Sequence, residues 1–332
     1  MIEKPFRPEI EDGCCYRERK RQSGSDREIS RSPGELGRDP SASVRLGMTV
    51  FELHREDCVR GMAELPAASI DIVVTSPPYN LGIRYSKFFD TADRMSYLRW
   101  CKTWAAEIAR LLKAGGSFFL NVGAAPANPM FPHEVALELR ELFVLQNTIH
   151  WIKSISIEKQ DGEIVSRGHF KPINSQRFLN DCHEYIFHFT KTGRVELDRL
   201  ALGVPYQDKT NIARWSHTGG RDRRCRGNTW FISYETIQSR DKERPHPATF
   251  PVELAEKCIR LHGVQKVTTM LDPFLGIGNS AIAAQRCGVP KFIGFEIDEM
   301  YFAEGQRRIG AQTSLPARQA NAGPARAVSP DG

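Results

Sequence analysis

The sequence predicts an α/β protein, a doubly wound and mostly parallel sheet with helices on both faces. Three observations carry this. Short β-branched apolar runs alternate with amphipathic helical segments over much of the 332 residues. Two of those runs end in loops rich in proline or glycine, at the place where an open parallel sheet binds its ligands. No stretch of eighteen apolar residues exists, and the first twenty residues mix both charge signs without an apolar core. Neither a membrane span nor a secretory leader is therefore expected.

The elements follow in chain order. Residues 1–47 hold ten Lys/Arg and nine Asp/Glu with repeated Ser, Gly and Pro and no surviving period, so they read as a disordered tail. Met48 opens a globular pattern and is a candidate natural start. Thr49–Leu53 and the β-branched run Ile70–Thr75 read as strands. Ala92–Lys113 reads as a long amphipathic helix stopped by Ala114-Gly115-Gly116, followed by a strand at Ser117–Val122. A helix at Pro132–Leu142 and strands at Leu145–Ile152 and Glu184–Phe189 complete the first half. The second half alternates again: helix Pro251–His262, strand Val267–Leu271, helix Asn279–Cys287, strand Lys291–Phe295, helix Glu299–Ile309. Ser154–Asp181 and Lys191–Pro245 break the rhythm and read as functional insertions. Residues 312–332, rich in Ala, Pro and Ser, read as a second tail.

Eight cysteines are scattered without a C-x-x-C pair, so neither a metal site nor a disulfide framework is indicated, and a reduced cytoplasmic protein is expected. The net charge is +6, and residues 190–245 alone hold 12 Lys/Arg against 7 Asp/Glu. Most of the basic excess sits in one window, as a nucleic-acid partner requires.

The first chemical motif, Ser76-Pro77-Pro78-Tyr79, directly follows the strand Ile70–Thr75. Each proline fixes its own φ and holds the residue before it extended. The Ser76 hydroxyl and the Pro77 carbonyl can then converge as two acceptors suited to an –NH2 group, and Tyr79 offers a flat face for a planar ring. The second motif, Asp272-Pro273-Phe274-Leu275-Gly276-Ile277-Gly278, joins a strand to a helix, and Gly276 and Gly278 let a ligand approach the backbone. No Gly-Lys-Ser/Thr follows, which disfavours a phosphate loop. Glu296 ends the next strand eighteen residues beyond Gly278, where a carboxylate binds ribose hydroxyls.

Together the two loops resemble those of the S-adenosylmethionine-dependent DNA amino-methyltransferases. That family carries a (Ser/Asp/Asn)-Pro-Pro-(Tyr/Phe) loop and an Asp-Pro-Phe-x-Gly-x-Gly loop. The order here, with Ser76 before Asp272, is similar to its beta group. His246-Pro247-Ala248-Thr249-Phe250-Pro251 resembles the segment that enters the cofactor site, and Asp57-Cys58 resembles an adenine-contacting element in which Glu56 replaces a glycine. The resemblance spans about residues 50–309. It departs at Asn279-Ser280, where the family often has two threonines.

The resemblance implies a Rossmann-like methyltransferase fold with an inserted target-recognition region. Residues 48–189 form its catalytic half, 190–245 the recognition region and 246–311 the cofactor half. It implies that Ser76, Pro77, Pro78 and Tyr79 are catalytic, with Ser76 and the Pro77 carbonyl accepting from the target amine and Tyr79 stacking on the base. Phe274, Gly276 and Gly278 would line the methionine and ribose side of S-adenosylmethionine, following Asp272. Glu296 would hold the ribose, Thr249 and Phe250 would close the methionine end, and Asp57 would face the adenine. No metal is required. Double-stranded DNA is the implied partner, its target base flipped out. A cognate restriction endonuclease and a homodimer are further expectations.

In the recognition region, Arg221, Arg223, Arg224 and Arg226 can clamp phosphates or read guanine edges. Trp230 reads as core more than as a contact residue, and the Arg167–Lys171 segment is a second DNA candidate. His183-Glu184 is too small a set for a metal. In the family it resembles, a serine at the place of Ser76 accompanies cytosine N4 more often than adenine N6, so the resemblance implies cytosine N4 over adenine N6. A catalytically silent nucleic-acid binder, an RNA or protein-glutamine methyltransferase and a dinucleotide oxidoreductase are the competing readings. The intact Ser76, Tyr79, Gly276, Gly278 and Glu296 count against the first. The loop order and the incomplete glycine fingerprint count against the others.

Overall fold

The computed structural model describes residues 42–46, 48–79, 93–168, 174–233 and 249–312. Its strands are β1 (Ala42–Leu46), β2 (Thr49–His54), β3 (Ile70–Thr75), β4 (Leu112–Val122), β5 (Val144–Ile152), β6 (Ser154–Glu158), β7 (Ile164–Gly168), β8 (His183–Thr190), β9 (Thr229–Phe231), β10 (Thr269–Asp272) and β11 (Lys291–Phe295). Its α-helices are α1 (Cys58–Ala63), α2 (Arg94–Leu111), α3 (Phe131–Leu139), α4 (Thr210–Arg214), α5 (Val252–His262), α6 (Asn279–Arg286) and α7 (Glu299–Ala311). Nine strands form one sheet in the order β1-β2-β11-β10-β3-β4-β8-β5-β9, and β6 and β7 form a separate hairpin. The pairs from β2 across to β4 are parallel, as is β5 with β9, while β8 runs antiparallel to both its neighbours. The doubly wound α/β reading holds.

Burial follows from the sequence pattern. All of β3 is buried, as its β-branched run requires. In α2 the buried residues Tyr97, Cys101, Trp104, Ile108 and Leu111 recur at three- and four-residue spacing and form one stripe. That stripe covers one face of the sheet together with α1 and α3. The other face is covered by α5, α6 and α7. Asp93 caps α2 by accepting from the Ser96 N–H at 3.0 Å, and Asp298 caps α7 through the Met300 and Tyr301 N–H groups. No described helix is long and apolar enough to cross a membrane.

Four local expectations change. The tail expected through Gly47 contains β1, whose residues pair antiparallel with β2. The Ala114-Gly115-Gly116 segment does not follow α2 as a stop but lies inside β4, in a bulge between the Ile70–Leu112 and Ile72–Ser117 pairs. A Cβ on Gly116 would meet Leu112 Cδ1 at 2.7 Å and the Asp71 carbonyl at 3.0 Å, so the bulge itself demands glycine. The insertion after Ser154 forms the β6–β7 hairpin, turned by Gly162 at φ 82°. The recognition region, read as a break in the α/β rhythm, also contributes a strand to the sheet. Its β9 extends the main sheet beside β5, and Trp230, 1% exposed, is a core residue as the sequence suggested.

From β10 the chain crosses through α6 to β11 on one side of the sheet, whereas from β3 it crosses through α2 to β4 on the other. The adjacent carboxyl ends of β10 and β3 therefore flank a topological switch point, where open α/β sheets bind ligands.

Candidate active site

Both motifs meet at this switch point. Thr75, the last residue of β3, donates its hydroxyl to Asp272 Oδ1 across the gap to β10 at 2.5 Å. Asp272 is wholly buried and accepts again from the Phe274 N–H at 3.0 Å and from the Ser280 hydroxyl at 2.5 Å. Its carboxylate thus pins both ends of the glycine loop and the strand leading to Ser76. Burial pushes its carboxyl up to about 6, and the three donors work against that rise. Asp272, expected to line the cofactor, is turned into the protein and organises the loops.

The glycine loop is shaped for close approach. Gly276 and Gly278 sit at φ 53° and 82°, in the left-handed region that glycine adopts without strain. Gly278 opens α6, and a Cβ there would meet Ile309 of α7 at 3.1 Å. Glu296, just past β11, accepts from the Gly276 N–H at 2.8 Å through Oε2 and from the Asp298 N–H at 2.9 Å through Oε1. Each oxygen keeps a further lone pair for a ligand hydroxyl. Burial raises the Glu296 carboxyl to about 7, against the pull of those two N–H groups. Its neighbour across the sheet is the end of β2, where the Glu296 N–H reaches the His54 carbonyl at 3.0 Å. Asp57 follows three residues later. It is exposed and caps α1 through the Val59 and Arg60 N–H groups at 3.0 and 3.1 Å.

Phe274 leans on Trp100 and Trp104 of α2, each with ring centroids 5.5 Å away, so its first partners are protein rings. The Phe250 carbonyl accepts from Asn279 Nδ2 at 2.6 Å, which ties the Thr249-Phe250 segment to the first residue of α6. His246, Pro247, Ala248 and Asn80 lie outside the described residues.

The Ser76 loop is equally fixed. Tyr97 of α2 donates to the Pro78 carbonyl at 2.5 Å. The Pro77 carbonyl has no hydrogen-bond partner among the described residues, so it and the half-buried Ser76 hydroxyl remain as the loop's acceptors. Ser76 Oγ lies 2.7 Å from Tyr79 Oη. Tyr79 is 9% exposed, and its hydroxyl points inward to Glu184 Oε2 at 3.1 Å while accepting from Asn121 Nδ2 at 2.7 Å. Glu184 in turn binds Asn121 Nδ2 at 2.7 Å and Lys153 Nζ at 3.1 Å.

Sequence reasoning missed Asn121 and Lys153 and weighed Glu184 only as a metal ligand. No group of three or more metal-type ligands occurs among the described residues, and Glu184 is paired instead with the Lys153 ammonium at 3.1 Å. The usable signal was a polar residue, Asn121, ending the buried strand that pairs with β3.

The arginine cluster divides. Arg223 donates to the Leu200 and Ala201 carbonyls at 2.6 and 3.0 Å, and Arg226 donates to the Leu202 carbonyl at 3.1 Å. Arg224 reaches the Cys225 carbonyl at 3.3 Å. Arg221 is exposed and makes no side-chain hydrogen bond among the described residues. Two of the four thus brace the recognition loop as well as presenting positive charge. Arg167 is exposed on β7, and residues 169–173 lie outside the description.

Comparison with known proteins agrees with this geometry. The family model described as DNA methylase, for N6 and N4 methyltransferases, matches residues 70–307. The type II methyltransferase M.ScaI of Streptomyces caespitosus is 27% identical over 269 residues, covering 78% of this chain and 81% of that one. The DNA adenine methyltransferase YhdJ of Escherichia coli strain K12 is 26% identical over 289 residues, covering 83% and 88%. Among solved structures, the cytosine-N4-specific PvuII DNA methyltransferase shares the fold with a TM-score of 0.54 at 18% identity, covering 84% of this chain and 92% of that one.

Proposed function

Because the chain belongs to the DNA methylase family of N6 and N4 methyltransferases, we propose that it methylates the exocyclic N4 of a cytosine flipped out of double-stranded DNA, as the modification enzyme of a restriction–modification system. The methyl donor is S-adenosylmethionine. The observation that carries this reading is the 2.5 Å bond from Thr75 to Asp272, which sets the Ser76 loop beside the glycine loop and so brings amine and donor together. Proximity of this kind supplies much of the rate in a transfer between two bound groups.

The residues divide the work. The donor's sulfonium supplies an already activated methyl group, so the protein's task is to bind, aim and exclude water. Glu296 holds the ribose hydroxyls, Gly276 and Gly278 admit the donor's backbone-facing side, and Asp57 borders the adenine. Phe274 lines the methionine and ribose side, and Thr249 and Phe250 close the methionine end. An aromatic amine is a poor nucleophile because its lone pair is delocalised into the ring. Two acceptors on its N–H groups, Ser76 Oγ and the Pro77 carbonyl, draw those N–H bonds out of the ring plane, so the lone pair is less delocalised into the ring and better aimed at the sulfonium methyl. The Tyr79 ring stacks on the base, and Pro78 keeps the loop rigid. Flipping is required because neither amine can be reached inside a duplex.

Arg221, Arg223, Arg224 and Arg226 supply phosphate or base contacts from the recognition region. Ser76 favours cytosine, and the kinship with an adenine methyltransferase keeps adenine N6 as the second reading. A restriction endonuclease of the same site and a second copy of the chain are the partners this reading implies. The test is Ser76→Ala: methyl transfer to DNA should be lost while DNA and cofactor binding persist. Full activity in that variant would overturn the assignment.

A further inference from the structure

The rim of the site gathers residues from four strands: Ser76 and Tyr79 after β3, Asn121 at the end of β4, Lys153 after β5 and Glu184 at the start of antiparallel β8. We propose that Glu184 is a positioning residue for methyl transfer, fixing the Tyr79 hydroxyl as a donor so that Ser76 turns its own proton inward and keeps its lone pairs for the target amine. The inference rests on the reading of Ser76 as the amine's acceptor.

A phenol has one proton to give and two positions that accept. Around Tyr79 Oη, Asn121 Nδ2 at 2.7 Å can only donate. Glu184 Oε2 at 3.1 Å and the Asn121 carbonyl at 3.3 Å can only accept. Ser76 Oγ at 2.7 Å can do either. A carboxylate is the stronger acceptor, so the phenolic proton goes to Glu184. Tyr79 Oη then faces Ser76 with a lone pair, and Ser76 becomes the donor. Its remaining valence toward the site is lone pairs, which an –NH2 group needs.

Without Glu184 the phenolic proton is left with the Asn121 carbonyl at 3.3 Å and Ser76 Oγ at 2.7 Å, and the nearer serine competes for it. The serine proton then swings toward the site and opposes the amine's own N–H groups. Lys153 holds the carboxylate in place from its other oxygen at 3.1 Å. Gly123 makes the room: a Cβ there would lie 3.1 Å from both Glu184 Cγ and Tyr79 Cε2.

The test compares wild type, Glu184→Leu and Glu184→Gln on unmethylated duplex DNA with S-adenosylmethionine. Glu184→Leu should lower kcat about 100-fold, the scale of a misaligned reacting group. KM for DNA and Kd for the cofactor should stay within about threefold, since the cofactor does not touch the serine proton and most of the DNA affinity comes from phosphate contacts outside this pocket. Glu184→Gln retains an acceptor oxygen and should recover most of kcat. Tyr79→Phe should cost kcat in wild type but nothing further in Glu184→Leu, as expected for two residues that act through one phenolic proton, and the loss should fall on kcat alone, which a general loosening of the site would not give.

If Glu184→Leu does not fold, Gly123→Ala crowds the same two side chains and should lower kcat with unchanged cofactor Kd. A kcat within twofold of wild type in the variant that folds, or full additivity with Tyr79→Phe, would overturn the positioning role while leaving the methyltransferase reading intact. A wild-type protein that transfers no methyl group to DNA would overturn the parent reading, and this inference with it.

Discussion

Cofactor affinity should depend on pH through Glu296. Its carboxyl is raised to about 7 because it is buried, while the N–H groups of Gly276 and Asp298 favour the ionised form too weakly to cancel that effect. Ribose hydroxyls donate to a carboxylate, so the donor selects the ionised form and binding is linked to loss of one proton. The apparent Kd then scales as one plus the ratio of protonated to ionised carboxyl. From pH 8 to pH 6.5 it should weaken about fourfold, and from pH 8 to pH 6 about tenfold. Asp272 is raised as well, to about 6, so Glu296→Gln, which removes only the Glu296 carboxyl, separates the two groups. Isothermal titration of S-adenosylmethionine at fixed ionic strength measures this directly. Glu296→Gln should bind about 10- to 100-fold more weakly, the cost of losing hydrogen bonds to a charged group, and its Kd should be flat with pH. A flat wild-type profile, or the same slope in Glu296→Gln, would refute the reasoning.

Four further outcomes are expected. Asp272→Asn sets an amide NH2 against one of the donors from Thr75, Phe274 and Ser280, so urea unfolding should show a loss of about 1–3 kcal/mol, with cofactor binding lost in parallel. Arg221→Ala should weaken DNA binding on every sequence and lower its salt slope by about 1. Arg223→Ala should instead lower thermal stability, since that guanidinium braces the Leu200 and Ala201 carbonyls. His188 and His262 share the Ser117 hydroxyl at 2.9 and 2.8 Å, and burial pushes them down to about 3 and about 4. The unfolded chain takes up these protons below the ordinary histidine value of 6.5 and the folded chain does not, so their contribution is lost as pH falls from 6.5 toward 4 and then 3. Asp272 and Glu296, raised, act with the opposite sign between about 7 and 4, so the test is a difference. His188→Leu should lose about 2 kcal/mol less than wild type between pH 7 and pH 5 in denaturant titrations. An equal loss in both proteins would contradict this.

The legible parts of the fold were those where one period dominates. The six-residue buried run of β3 and the stripe of α2 follow from local pattern alone, and Lys291–Phe295 matches β11 residue for residue. Gly115-Gly116 misled because glycines stop a helix and also permit a bulge, and only the pairing with Ile70 and Ile72 distinguishes the two. The strand β9 has three residues and owes its existence to β5 beside it, which no local window records. In the site, Ser76 and Gly276 are legible because the backbone restricts which residues can stand there. Glu184 is not, for a topological reason. Ligands are sought at carboxyl ends of strands, but β8 is antiparallel, so its amino end reaches the same rim. Asp272 carries the opposite lesson, since a residue inside a binding motif can hold the loop in place from beneath it.

The central claim is that this site methylates an exocyclic amine of DNA. The most direct test is to incubate the protein with S-adenosylmethionine and unmethylated genomic DNA, digest the product to nucleosides and identify them by mass spectrometry. N4-methylcytosine is the predicted product. N6-methyladenine would contradict the use of Ser76 to choose the base while leaving the residue roles standing. The absence of either, with a second methyltransferase active in the same buffer, would contradict the account itself.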